Sequence, residues 1–371
     1  MPRNAALSFR ALLILPLMAA CSLMPDDGPE VKPSEKGPQF DAEYYAANAK
    51  DFIAGGQYGR AKHQWLTFLE LQPGDWAGRL GIAFCDLYLA EEAVVQRGDF
   101  RQARTLLAGA EKTFAELQSG PLERDTQEVK QNANWKPALG AALAARYAGY
   151  MDHLEAAREE AAIARNEGDV AKRRETLAAL RARREENYRR AIGVFERLAA
   201  MENASPEAVR NLGQLYLVTR QDAKAERELL RYLEFARSTV RDFEAVQEEN
   251  KKDYQADRAA VVASLLDQKI KSNVAKQVQT LDDLAGLSFA RGDYLESKKY
   301  LEEALTVDPE RRDLYLKLAQ SDGELRMYET ALMRLDEFLR RSLRRREDFN
   351  EQIQRAMELK KQYEAKLAAS K

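Results

Sequence analysis

Chemistry-bearing residues are scarce in this 371-residue chain. It has two cysteines, Cys21 and Cys85, and two histidines, His63 and His153. A zinc cluster needs several such ligands close together, and a disulfide framework needs several paired cysteines, so neither organises this chain. No glycine-rich phosphate loop and no nucleophile elbow is present. Neither sign of charge prevails. The 58 basic and 60 acidic residues leave a net charge of -2, which argues against a dedicated nucleic-acid surface. Long apolar runs are missing too. At 32% charged residues the chain is too polar for a multi-span membrane protein. Its one apolar run near the amino terminus, Ala11 to Ala20, is shorter than the ~20 residues that cross a bilayer and is interrupted by Pro16. Glycine and proline are absent between Gly213 and Gly286. Nothing in the backbone chemistry stops a helix there.

What the chain does contain is a helical hairpin written twice between Leu281 and Phe338. Leu281 registers with Tyr315, Leu284 with Leu318, Ala285 with Ala319, Tyr294 with Tyr328, Ser297 with Ala331 and Leu301 with Leu335, every pair 34 residues apart. Ala285 and Ser297, 12 apart, are small enough to let two antiparallel helices approach closely. Leu284, Leu301 and Ala304 form a stripe that one hairpin cannot bury alone. Gly292-Asp293 supplies the turn, and Asp308-Pro309 ends the second helix. This pattern resembles the tetratricopeptide repeat (TPR) family. The resemblance implies an all-α fold, a TPR-like α-solenoid of helical hairpins, several with extended or coiled-coil-like arms.

Further copies follow in chain order. Residues 41–118 hold two repeats, with Ala49 to Ala61 again 12 apart; in the second, the turn and helix positions shift from 34 to 42, so about two helical turns are inserted. Ser119-Gly120-Pro121 opens a linker over 119–134. Residues 135–203 read as a long helical hairpin with partial repeat character, joined at Asn166 to Asp169. Ser205-Pro206 caps the next helix, and 204–346 holds further repeats with a long arm at about 221–276. In that arm Leu229, Leu233, Ala236, Val240 and Phe243 make one seam, and Val262, Leu266, Ile270, Val274 and Val278 another. The polar stretch Gln247 to Asp253 is the expected reversal, giving a projecting hairpin; one continuous rod is the alternative. The last repeat is expected to run on into a charged helix from Arg340 to Leu367. Its final part, 347–371, caps the array through Phe349, Ile353, Met357 and Leu359.

At the amino terminus Arg3 and Arg10 precede the apolar run, which closes on Leu17-Met18-Ala19-Ala20-Cys21-Ser22. This resembles the lipobox of bacterial lipoproteins, with Met18 where leucine is commoner. The resemblance implies a signal peptide over 1–20, cleavage before Cys21 and acylation of that residue. Ser22 implies sorting to the outer membrane, and Pro-, Asp- and Lys-rich residues 21–40 read as a tether. An ordinary signal peptide with an incidental cysteine is the other reading.

No catalytic constellation or metal site emerges, and no cofactor is expected. His63 and Cys85 read as residues of the repeat helices; His153 lies among Asp152 and Glu155 without further ligands. The arginine runs around Arg183 and Arg340 are flanked by acids and read as solvated helix faces. The positions at which one TPR subfamily holds a peptide carboxylate are here Ala46 and Lys50, Asp282 and Gly286, Leu316 and Gln320, so that clamp is not expected. Candidate groove residues are Tyr44, Trp76, Lys50 and Gln320. Together the two resemblances imply a non-enzymatic, periplasm-facing, outer-membrane adaptor that binds envelope proteins or peptides. A structural spacer and a wall-acting accessory enzyme are the rival readings.

Overall fold

Why the chain folds as hairpins is visible in its first pair, Ala42–Ala54 (α1) and Tyr58–Leu71 (α2). Asp41 caps α1 by accepting from the Tyr44 backbone N–H at 2.9 Å, and Gly56 at φ 71° takes the left-handed conformation that turns the chain. Ala49 and Ala61 are fully buried, so the helices close on each other over Tyr45, Trp65 and Phe68. The computed structural model describes residues 40–119, 136–201, 204–253, 256–342 and 350–370. Cys21, the signal segment and most of the tether and linker lie outside the described residues.

The described residues hold thirteen helices and no strand. They divide into two units, one ending at Arg220 and one beginning at Gln221. In the first unit α1 and α2 are followed by Trp76–Val95 (α3), Phe100–Ser119 (α4), Lys136–Ala164 (α5), Val170–Ala199 (α6) and Pro206–Val218 (α7). Ser119 is thus the last residue of α4 rather than the start of a linker. Ser205 stands at the N-cap of α7 without a side-chain cap bond, and Pro206 at the first helical position sets the entry. Phe114 of α4 packs onto Gly140 of α5, where a Cβ would occupy the same space as the ring.

The second unit holds Asp222–Asp253 (α8), Ala256–Ala290 (α9), Tyr294–Val307 (α10), Arg312–Glu324 (α11), Tyr328–Ser342 (α12) and Asn350–Ser370 (α13). Helices α8 and α9 run antiparallel. Glu226 near the start of α8 accepts from Arg291, just past α9, at 2.6 and 2.8 Å, while Lys269 lies 5.8 Å from the Phe243 ring centroid. The polar stretch Gln247 to Asp253 is helical to its end and so is not the reversal that its composition suggests. The inner part of this arm is core: Leu229, Leu233 and Ala236 are buried, whereas Val240 and Phe243 are half-exposed.

The carboxyl-terminal helix also differs from expectation. Helix α12 ends at Ser342 and α13 lies antiparallel against it, with Lys360 donating to Asp336 at 2.6 Å and Tyr363 beside Tyr328. The covering residues are Ile353, Ala356 and Tyr363, with Leu359 at the margin; Met357 points outward at 51% exposure.

One polar device recurs between hairpins. A cation that directly follows the small residue of a second helix reaches an aspartate on the next first helix. Lys62 donates to Asp86 at 2.6 Å and Arg104 to Asp152 at 2.8 Å; in the second unit Lys298 donates to Asp322 at 2.7 Å. Asp152 and Asp322 are fully buried. Their charge is tolerated because each is paired and, for Asp152, because Arg183 and Asn187 add further donors.

Candidate functional site

The first helices of successive hairpins in the first unit, α3, α5 and α7, place a polar and aromatic cluster on one shared face. Tyr88 and Glu91 come from α3, Arg146, Tyr147 and Tyr150 from α5, and Glu207, Asn211 and Gln214 from α7. Spacings of three and four residues put each set on one side of its helix. Tyr58 of α2 stacks on Tyr88 with ring centroids 4.5 Å apart, and Tyr188 of α6 fills the space left by Gly149.

Two charges in this cluster lie near each other without pairing. The Arg146 guanidinium donates to Asn211 Oδ1 and, at 3.0 Å, to Gln214 Oε1. Asn211 is aimed by its own amide, which donates to the Glu207 carbonyl at 2.7 Å. Glu91 makes no ion pair with Arg146 and lies within electrostatic reach of the Tyr147 hydroxyl. Burial raises the Glu91 carboxyl pKa, and Tyr147 and Arg146 only partly offset that. The same burial raises Tyr88, Tyr147 and Tyr150, and pushes the Tyr188 hydroxyl, which has no partner, up to about 12. Such a face can hydrogen-bond and stack. It offers no nucleophile oriented by a base.

The residues singled out in the sequence fall elsewhere. Tyr44 is 44% exposed and stacks on Phe40 at 4.2 Å, Lys50 is exposed, and Trp76 is half-buried with its Nε1 enclosed and unpartnered. Gln320 belongs to the second unit and is engaged within it: with its amide oxygen facing α13, it accepts from Arg355 Nε at 3.1 Å and Nη2 at 2.9 Å. Tyr44, Lys50 and Trp76 belong to the first unit and Gln320 to the second. Lys50 and Gln320 nevertheless stand one residue after the small residues Ala49 and Ala319, the same register as Tyr150 after Gly149 and Gln214 after Gly213.

His153 is half-buried with Nδ1 3.5 Å from Arg184. Burial first, then Arg184, lowers its pKa. Cys85 is fully buried, and burial pushes its thiol up to about 12, which makes it a core residue with little thiolate. The arginines of α6 are largely spoken for: Arg173 by Glu159, Arg181 by Glu160 and Arg183 by Asp152. Among the described residues no group of three or more His, Cys, Asp or Glu could hold a metal ion, and no helix is long and apolar enough to cross a membrane.

Residues 182–248, from the end of α6 through α7 into α8, match the family model described as tetratricopeptide repeat. The chain carries tetratricopeptide repeats. Similar solved structures include the P58(IPK) TPR domain, at 17% identity over 89% of this chain and 99% of that one with a TM-score of 0.23. Another is the TPR2AB domain of yeast Sti1 in complex with pHSP90, at 12% identity over 87% and 98% with a TM-score of 0.24. A search of curated proteins finds no match to this chain. The TPR fold is a protein-interaction scaffold, and the face of α3, α5 and α7 gathers hydrogen-bonding and aromatic side chains from three helices.

Proposed function

We propose that this chain is a lipid-anchored adaptor that faces the periplasm from the outer membrane and gathers the parts of a cell-envelope assembly by non-covalent binding. The observation that carries this reading is Ala19-Ala20-Cys21 closing a short apolar run behind Arg3 and Arg10, ahead of a body built from interaction repeats. Acyl chains on Cys21 contribute roughly 0.8 kcal/mol per buried methylene, so two or more hold a soluble body at a bilayer. Residues 22–39 separate that anchor from the first described residue and span at most about 65 Å. The repeats therefore work close to the membrane.

The test is metabolic labelling with an alkyne fatty acid in the native cells, followed by membrane fractionation. Wild-type chain should carry the label and sediment with the outer membrane, and Cys21→Ser should be unlabelled and released. Label that persists in Cys21→Ser, or wild-type chain recovered in the soluble fraction, contradicts the anchor.

A further inference from the structure

Glu91 and Arg146 occupy neighbouring helices on one face, close enough for the guanidinium to act on the carboxyl, yet they form no ion pair. Arg146 is held by neutral groups instead, the amide oxygens of Asn211 and Gln214, and Glu91 lies within electrostatic reach of Tyr147 and Arg146. Arg104 and Arg173, two other half-buried arginines of this unit, are met by carboxylates, Arg104 by Asp152 and Glu155 and Arg173 by Glu159. Arg146 is held by neutral amides, and Asn211 is fixed in the orientation that keeps it so. Guanidinium donors remain unspent, because two neutral acceptors do not exhaust a five-donor fork. Two opposite charges on neighbouring helices, without an ion pair between them and with Arg146 held by neutral amides, leave both available to a third party.

We infer that the face of α3, α5 and α7 receives a peptide segment carrying a cationic side chain next to a carboxylate, with the cation at Glu91 and the carboxylate at Arg146. The charges select this class. A purely anionic segment, and a dianionic phosphate more so, would meet Glu91 and the nearby Glu207; a purely cationic one would meet Arg146. The rings of Tyr88 and Tyr147 suit the cationic end, since an ammonium or guanidinium is attracted to aromatic faces. The fork of Arg146 suits the carboxylate, which it can hold by two parallel hydrogen bonds. This inference rests on the adaptor reading and names its ligand.

The probes are four pools of end-blocked hexapeptides with randomised flanks and a central Lys-Glu, Lys-Gln, Gln-Glu or Gln-Gln pair, passed over purified full-length chain. The Lys-Glu pool should be retained at least tenfold more strongly than Gln-Gln. Glu91→Gln should erase the advantage of Lys and keep that of Glu, and Arg146→Gln should do the reverse. Arg146→Lys, a milder change, should weaken retention of Glu-containing pools about tenfold by losing the fork. Equal retention of all four pools, retention of none, or one preference shared by wild type and both variants overturns the inference. In any of those cases, recovery of envelope partners by cross-linking the wild-type chain would leave the adaptor reading standing, so the two fail separately.

Discussion

Glu91 is a side chain whose ionisation works against folding. Its folded-state pKa lies above the ordinary 4.5, chiefly through burial. Its favourable contribution is therefore present below about that pH and is lost as pH rises through the folded value. Once pH rises through the folded value the buried charge costs stability, and there Glu91→Gln should melt higher than wild type while impairing peptide binding. An unchanged or lower melting temperature contradicts that assignment. His153 has the opposite sign. Its pKa is lowered from 6.5, so its contribution is present above about pH 6.5 and is lost as pH falls through the folded value. Unfolding followed from pH 8 to pH 5 should show a loss in wild type that is smaller in His153→Asn; identical profiles would remove His153 from the account. At this scale the sequence was half legible. Lys50 and Gln320 were noticed because their repeats are regular, and they stand in the register that carries Tyr150 and Gln214. The place of Tyr150 is hidden because Gly149 and Ala191 are 42 residues apart instead of 12, which obscures the frame of α5, whereas Gln214 follows Gly213 in a regular repeat and was legible.

Helices in this chain are repeats with inserts, and the inserts sit in different places. In the pair α5 and α6 both helices of one hairpin are lengthened. In α8 and α9 the second helix of one repeat and the first of the next are lengthened together. Apolar spacing made these helices readable, since Leu229, Leu233 and Ala236 are buried as their seam requires. Their ends were less so. Gln247 to Asp253 is polar yet helical, because solvated polar residues with good helix propensity do not break a helix. The recurring cation and aspartate were not readable either, since Arg104 and Asp152 are 48 apart where Lys62 and Asp86 are 24 apart. Their worth is testable. Asp322→Ala leaves Lys298, whose side chain is 15% exposed, without its buried partner and should cost about 3 kcal/mol in denaturant unfolding of the full chain; a cost under about 1 kcal/mol would make the pair incidental. Close packing makes a second prediction. Gly140→Leu puts a side chain where the Phe114 ring lies and should destabilise by about 1–3 kcal/mol or more, partly relieved by Phe114→Ala in the same chain.

For the whole molecule, the repeats fix what kind of protein this is more firmly than the residues fix its partner. Composition explains why: with acidic and basic residues nearly balanced and many of them paired on the surface, few side chains carry information that structure does not already spend. On the face of α3, α5 and α7, Glu91 and Arg146 are half-buried charges without an ion pair between them. The central claim is that an anchored chain uses this face to hold an envelope partner. It is tested most directly by cross-linking the intact chain in its native envelope and identifying attached proteins by mass spectrometry, for wild type, Cys21→Ser and the double variant Glu91→Gln/Arg146→Gln. The account predicts enrichment of one set of envelope proteins with wild type, reduced at least tenfold in the double variant even though that variant stays anchored. Recovery of only self-linked species with wild type, or of the same partners at the same yield with the double variant, would contradict it.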